Sequence, residues 1–258
     1  MSKPELTYAR PLSWGELEEL QREYQSQIMY LANGDYHPKT REGKSILVDL
    51  QDLELDQAEL SEDGITLGGL VNLHQLGVTL ESAEMEEAIS IEAGVNLRNS
   101  LSLTNYVKAS HGRSAVQLCL NALEAEYHVF GDAEFQRYSP ALKAELGDSF
   151  IEEVKIANPV SLAFASAARS PKDQPVVAVA ASKRSESRIH VACGGAEAML
   201  AEFDLYYGEE DGEAAIRNLY KDCNDEWAGA EYRQDVAAVL LSRCLQKLWR
   251  DSHTKEAA

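Results

Sequence analysis

IEAGVNLRNSLSLTN, residues Ile91–Asn105, is the stretch of sequence that decides the fold of this chain. An Arg-Asn pair, Arg98-Asn99, precedes a small polar turn, Ser102-Leu103-Thr104-Asn105-Tyr106, which leads into a predicted short helix. Loops of this layout surround phosphate groups with backbone N–H donors. They normally use glycine, because glycine has no Cβ and tolerates positive φ. The stretch therefore has the layout of a phosphate loop from which the glycines have been removed.

Composition limits the classes of function. The chain has 258 residues and is 45% hydrophobic, which is enough for a core in one large domain or two modest ones. Its net charge of −19 repels nucleic acid and anionic lipid, so we expect no nucleic-acid partner and no membrane partner. The sequence shows neither a signal peptide nor an apolar run long enough to span a membrane. These features predict a cytoplasmic protein.

The cysteines and histidines show no metal-binding pattern. The four cysteines are Cys119, Cys193, Cys223 and Cys244, and no CxxC pair is present, so we expect buried free thiols. The six histidines lack HExxH or paired-ligand spacing, which favours ordinary loop histidines and no metal site; a site formed by His37 and His111 is the alternative. Since no nucleophile motif such as GxSxG is present either, we expect no catalytic side chain.

The first half of the chain mixes strands and helices. Ser13 and Glu16 have the spacing of a capping box at the start of a helix. Apolar runs at Ile28–Leu31 and Ile46–Asp49 predict strands, and the alternation in residues 53–69 predicts a hairpin. Further helices are predicted from about Asn72, over Glu81–Ile91 and over Ser114–Ala125, with a strand at Tyr127–Phe130.

The second half changes to a sheet followed by helices. Four apolar runs with short turn-prone links predict an antiparallel meander. These runs are Phe150–Ile156, Val160–Ala168, Val176–Lys183 and Ile189–Cys193. Two helices are predicted after them, over about Glu210–Cys223 and Ala230–Asp251. The change of pattern predicts a domain boundary between residues 145 and 160.

Four segments of the chain, taken in order, resemble a known family. They are Tyr8–Ser13; Ile46–Leu50 with Gly64–Gly69; Arg98-Asn99; and Ala228–Arg233 with Val239–Arg243. Together they resemble the medium, FAD-binding subunit of molybdenum hydroxylases, the family that contains carbon monoxide dehydrogenase and xanthine dehydrogenase. The resemblance implies an α+β fold with a PCMH-type FAD-binding domain of two α+β subdomains in residues 1–150. It also implies a C-terminal domain in residues 151–258, an antiparallel sheet packed with helices as in carbon monoxide dehydrogenase flavoproteins.

The same resemblance implies a function, a cofactor and partners. Subunits of this family carry FAD and accept electrons from iron–sulfur centres in a small partner subunit, while a large partner subunit holds molybdopterin. By resemblance, this chain is an electron-transfer subunit that passes those electrons to an acceptor. The alternative is a non-catalytic scaffold or interaction subunit of the same fold that has lost FAD binding. A third hypothesis is a stand-alone protein that binds a small molecule.

Two loops align with the FAD-binding loops of the family. In the first, Ala32-Asn33-Gly34-Asp35-Tyr36-His37 stands where the family has Ala-Gly-Gly-Thr-Asp-Leu, and the carboxylate of Asp35 repels a diphosphate. The second loop starts at Arg98-Asn99. There Ser102 keeps a hydroxyl where the family has threonine, and Thr104 and Asn105 replace its two glycines.

Two further positions complete the aligned set. Ser114 stands where the family usually places an aspartate against the ribityl chain of the flavin, and Arg113 beside it can offset phosphate charge. Gly68-Gly69 keeps a glycine pair, which a tight turn explains equally well. The cofactor-binding residues implied by the resemblance are Ala32, Asn33, Gly34, Asp35, Tyr36, Gly68, Arg98, Asn99, Ser102, Thr104, Asn105 and Ser114.

Overall fold

The computed structural model describes residues 6–32, 43–158, 161–170, 173–196, 199–206 and 212–256, which form three sheets with helices packed against them. The strands are β1 (Thr7–Ala9), β2 (Ile28–Leu31), β3 (Ile46–Asp49), β4 (Ala58–Leu60), β5 (Gly64–Gly68), β6 (Glu126–Val129), β7 (Gln136–Arg137), β8 (Ile151–Ala157), β9 (Ala163–Ala167), β10 (Val177–Lys183), β11 (Arg188–Ala196) and β12 (Met199–Tyr206). The helices are α1 (Trp14–Tyr24), α2 (Leu73–Leu80), α3 (Ala83–Glu92), α4 (Val95–Arg98), α5 (Leu103–Ala109), α6 (Ala115–Ala122), α7 (Pro140–Leu146), α8 (Gly212–Leu219) and α9 (Ala230–Glu256).

The first sheet is parallel, with strand order β1-β3-β2. It is covered by α1, whose Leu17 is fully buried with Ile46 and Val48 of β3. Half of the predicted capping box is confirmed, since the Glu16 N–H donates to Ser13 Oγ over 3.3 Å, but no return bond from the Ser13 N–H to Glu16 is formed in this described segment. The Glu16 carboxylate accepts from the Leu12 N–H at 2.8 Å. The start of α1 is therefore fixed by side-chain bonds on both sides of Ser13.

The second sheet has the order β4-β5-β8-β6-β7, and its neighbouring strands are antiparallel. The predicted hairpin is confirmed, because β4 and β5 pair with Ala58 opposite Leu67. Helix α3 buries Met85, Ala88 and Ile89 on the predicted face. Every residue of α6 is buried, so this helix lies inside the protein rather than on its surface.

The third sheet is an antiparallel meander with the order β12-β11-β10-β9. Its strand β10 is buried on both faces. Val177 and Val179 pack with α8 and α9, while the alternating Ala178 and Ala180 pack into the core around α6. The two predicted C-terminal helices are therefore confirmed, and they pack together against one face of this sheet. None of the helices in the described ranges is long and apolar enough to cross a membrane.

Two parts of the predicted meander are wrong. Its first predicted strand, Phe150–Ile156, is β8, which pairs with β5 and β6 in the second sheet. The fourth strand of the meander is instead β12, which includes Glu202 and Asp204 among its apolar residues and was not predicted. The partner of a strand depends on tertiary contacts, which its local pattern does not specify. The α+β fold class is confirmed, and the division of the chain at residue 150 stays a prediction.

Candidate cofactor site

The predicted turn at Ser102–Tyr106 is the first turn of helix α5, so that prediction is wrong. Ser102 is the N-cap of the helix, in an extended conformation, and its Oγ accepts from the Asn105 N–H at 3.3 Å. Thr104 and Asn105 are helical and do not have positive φ. A serine at the N-cap satisfies a free helix N–H with its side chain, so no glycine is needed here. The segment keeps the position of a phosphate loop in the sequence but not its conformation.

The backbone donors of this first turn are all used inside the protein. Leu103 N–H donates to the Val71 carbonyl at 2.9 Å and Thr104 N–H to the Gly69 carbonyl at 3.0 Å. The N–H groups of Asn105 and Tyr106 donate to Ser102, through its Oγ and its carbonyl oxygen. A diphosphate is normally held by free backbone N–H groups that point towards it. These four groups do not point to an open site.

The side chains of the same turn close it against two other segments. Ser102 Oγ and Asn105 Nδ2 both donate to the carbonyl oxygen of Ala32, each over 2.7 Å. Thr104 Oγ1 accepts from the Ile151 N–H at 3.1 Å. Ser102, Thr104 and Asn105 are buried. The two residues at the family's glycine positions therefore occupy the turn with hydrogen-bonded side chains.

The first aligned loop is described only at its beginning. Ala32, at the end of β2, is buried and accepts the two bonds from α5. The predicted residues Asn33, Gly34, Asp35 and Tyr36 lie outside the described part of the chain. The structure thus brings the start of the first loop and the second loop together, as the alignment predicts.

The glycine pair at the end of β5 has a packing reason. A Cβ on Gly69 would lie 1.7 Å from the carbonyl oxygen of Ile151, and one on Gly68 would lie 2.1 Å from the carbonyl oxygen of Leu55. The carbonyl of Gly69 also accepts from the Thr104 N–H. Gly68 and Gly69 therefore let two backbone segments approach β5 closely, and this reason does not involve a ligand.

Arg98 and Asn99 make their bonds near α4. The Arg98 guanidinium pairs with Glu86 of α3, with 3.6 Å between Nη1 and Oε2. Asn99 is exposed, and its Nδ2 donates to the Val95 carbonyl at 2.9 Å. These bonds fix the end of a short surface helix. They do not connect to Ala32 or to the turn at Ser102.

Ser114 and Arg113 lie where α6 meets the C-terminal half. Ser114 Oγ accepts from the His111 N–H at 3.0 Å. Arg113 is buried, donates to Asp225 at 2.8 Å and stacks over the ring of Trp227, 3.6 Å from its centroid. The role of Arg113 in offsetting phosphate charge stays a prediction; in the structure its guanidinium pairs with Asp225, a carboxylate that Arg233 shares.

Glu92 is a residue of this region that the sequence reading missed. Its carboxylate accepts from Tyr106 Oη at 2.6 Å and from the Ala115 N–H at the start of α6. Burial raises the pKa of Glu92 from 4.5 to about 7, although hydrogen bonds from Tyr106 and from the Ala115 and Val116 N–H groups act to lower it. A carboxylate at the C-terminal end of α3 is unfavourable with the helix dipole, which was the available sequence signal. Glu92 interacts instead with the N-terminus of α6.

The described residues do not fit a FAD diphosphate. The turn that would wrap it donates its N–H groups internally, and its three polar side chains bond to Ala32 and Ile151. The nearby start of α6 already holds the carboxylate of Glu92. The described part of the candidate site is therefore a closed set of bonds within the protein.

Comparisons with known proteins show what the chain resembles as a whole. The family described as the FAD binding domain in molybdopterin dehydrogenase matches residues 4–143. The protein called "Uncharacterized protein YgfM" of Escherichia coli K12 is 26% identical over 243 residues, which cover 91% of this chain and 93% of that protein.

Solved structures share the fold. Quinoline 2-oxidoreductase from Pseudomonas putida 86 gives a TM-score of 0.69 at 17% identity, covering 97% of this chain and 99% of the matched chain. Reconstituted CO dehydrogenase from Oligotropha carboxidovorans gives a TM-score of 0.66 at 18% identity, covering 95% of this chain and 98% of the matched chain.

Proposed function

The chain belongs to the family of FAD binding domains in molybdopterin dehydrogenases, and on that premise we propose that it is the flavoprotein-type subunit of a molybdenum hydroxylase complex. Its proposed partners are a small iron–sulfur subunit and a large molybdopterin subunit, with the complex in the cytoplasm. The proposal is supported by similarity along 95% or more of this chain and 98% or more of the matched oxidoreductase chains.

Within this position we propose that the chain acts as a non-catalytic scaffold, without FAD. One observation carries this role: Asn105 and Ser102 bond to Ala32, and Thr104 bonds to Ile151, where a diphosphate-binding turn needs open donors. These bonds hold the two aligned loops together without a ligand. A scaffold needs the fold and its outer surface, and neither depends on an open flavin site.

Electron transfer is the second candidate role. It is favoured by the family itself, whose description names FAD binding. In this role the chain binds FAD and passes electrons from the iron–sulfur centres of a partner to an acceptor. The flavin supplies the redox chemistry when bound, and the protein positions it. The two roles differ in one measurable property, the affinity of the full chain for FAD.

A flavin titration separates the two roles. The full chain is purified, its absorbance near ~450 nm is recorded, and FAD is added while flavin fluorescence is followed. The scaffold role predicts a colourless protein and a fluorescence signal equal to that of free FAD. Flavin that copurifies in a ratio near one per chain contradicts the scaffold role and supports electron transfer.

The partners need a separate experiment. The chain is coexpressed with an iron–sulfur subunit and a molybdopterin subunit of the family from the same genome, and the mixture is analysed by size-exclusion chromatography. We expect the three chains to elute together whether or not flavin is present. A chain that elutes alone beside an assembled pair of partners contradicts the proposed position in the complex.

A further inference from the structure

A network of charged side chains joins the second sheet to the meander, away from the candidate cofactor site. Glu202 of β12 is its centre and accepts from Arg137 Nη2 of β7 at 2.7 Å. It also accepts from Asn121 Nδ2 of α6 and lies 3.0 Å from His190 Nε2. Arg137 and Asn121 lie within residues 4–143 that match the family, while His190 and Glu202 lie outside them. The network therefore connects the family-matched part of the chain to the rest.

His190 lies between two carboxylates on the neighbouring strand. Its Nδ1 is 2.8 Å from Asp204 and its Nε2 is 3.0 Å from Glu202, and the residue is only 7% exposed. An ionised carboxylate has no proton to donate, so each of these bonds needs an N–H on the imidazole ring. Only the doubly protonated imidazolium satisfies both carboxylates.

The groups around His190 come from every element packed against it. Arg188 of β11 bonds to Glu124 and Asp204, and Arg184, after β10, bonds to Glu124 at 3.0 Å. Across the sheet, Ser182 of β10 is the neutral strand neighbour of His190. The surrounding charges are three arginines and three carboxylates: Arg137, Arg184, Arg188, Glu124, Glu202 and Asp204. The formal charges of these six groups sum to zero, without counting the charge of His190.

The carboxylates nearest to the ring favour its charged form. Burial alone would lower the pKa of His190, but hydrogen bonds to Glu202 and Asp204 and the nearby charge of Glu124 raise it above its ordinary value. A histidine with a raised pKa stabilises the fold fully at pH values below its ordinary pKa. This contribution is lost as the pH rises through the raised pKa.

We propose that His190 is a proton-operated latch between the second sheet and the meander. With both ring nitrogens protonated, His190 holds Glu202 and Asp204 of β12, and Glu202 in turn holds Arg137 of β7. When the Nε2 proton leaves to water, that nitrogen becomes an acceptor facing Glu202. Arg137 Nη2, which lies 3.4 Å from His190 Nε2, then donates to the ring and loses part of its bond to Glu202.

The first test is the protonation state itself. Nitrogen NMR of the imidazole rings in the full chain is recorded from about pH 5.5 to 9, a range that brackets the ordinary pKa of histidine. We expect His190 to carry protons on both nitrogens at the low end of this range and to lose one only above the ordinary pKa of histidine. Glu202→Gln should lower the pKa of His190 by about one unit, a tenfold loss of proton affinity. A ring that loses a proton at or below the ordinary pKa of histidine overturns the proposal.

The second test asks whether the proton acts between the sheets. Hydrogen exchange of the β7 and β12 amides, corrected for its intrinsic pH dependence, should be faster above the pKa of His190 in the wild-type chain. In His190→Gln the corrected exchange should lose the increase that the wild-type chain shows above the pKa of His190, while the exposed control His74→Gln should behave as wild type. Equal pH dependence in His190→Gln and wild type overturns the latch. If His190→Gln does not fold, the ring titration of the wild-type chain decides.

Discussion

Asn105 Nδ2 donates to the carbonyl oxygen of Ala32 over 2.7 Å, so the two segments aligned with flavin loops are bonded directly to each other. The family places a glycine at the position of Asn105. In this chain the side chain that replaces it reaches the end of β2 and bonds there beside Ser102 Oγ. This bond should therefore affect both the free energy of unfolding and the affinity of the chain for FAD, and both quantities can be measured.

Replacing Asn105 with glycine should destabilise the chain rather than create a flavin site. The change removes one hydrogen bond to a buried carbonyl and places glycine in a helix, so the free energy of unfolding should fall by about 2 kcal/mol. FAD affinity should not rise, since the neighbouring donors remain bonded internally. Urea unfolding and a flavin titration measure the two effects.

The matched control for this variant is Asn99→Ala. Asn99 is exposed, and among the described residues its side-chain amide bonds only to the Val95 carbonyl at the surface. Its loss should change the free energy of unfolding by no more than about 0.5 kcal/mol. A stable Asn105→Gly variant with clear FAD binding contradicts the closed-loop account of the site.

Thr104 provides a test of the other closing bond. Thr104→Val keeps the shape of the side chain but removes the acceptor for the Ile151 N–H. A buried donor that loses its partner costs about 1–3 kcal/mol of stability. The control is Thr66→Val on β5, a partly exposed residue whose hydroxyl has no bond among the described residues. Thermal unfolding should separate the two variants, and equal midpoints would show that the Thr104 bond is unimportant.

The sequence predicted the elements better than their environments. Local patterns predicted the strand at Ile28–Leu31 and the inward face of α3, because burial of one side of an element gives a periodic pattern of apolar residues in the sequence. The pairing of β8 and the burial of Glu92 give no such periodic pattern, since both depend on contacts with distant segments. The same limit applies to Thr104 and Asn105. Their lost glycines were visible in the sequence, but the buried bonds that replace glycine were visible only in the fold.

Gly69 should tolerate no side chain. A Cβ at this position would lie 1.7 Å from the carbonyl oxygen of Ile151, which is backbone and cannot rotate away. Gly69→Ala should therefore lower the free energy of unfolding by about 3 kcal/mol or prevent folding. Gly15→Ala in α1 is the control, because the nearest atom to its Cβ would be 4.0 Å away. Soluble yield and urea midpoints should fall only for Gly69→Ala, since alanine suits the helix at residue 15.

Glu92 should make stability depend on pH in the acidic to neutral range. Burial raises the pKa of Glu92 from 4.5 to about 7, so between these values the folded state binds more protons than the unfolded state. Stability from this group is therefore present at low pH and falls as the pH rises from 4.5 to 7, by up to about 3 kcal/mol.

The variant Glu92→Gln removes the titrating carboxyl while keeping an oxygen that accepts from the Ala115 N–H. The free energy of unfolding of wild type, relative to that of this variant, should therefore be higher at pH 5 than at pH 8. Urea unfolding at each pH measures it. Glu87→Gln, an exposed position on the same helix, should follow wild type throughout. The effect lies below about pH 7, whereas loss of the His190 contribution continues above the ordinary pKa of histidine. Parallel curves for wild type and Glu92→Gln would show that Glu92 is ionised in the folded chain and that its bond to α6 is that of a carboxylate.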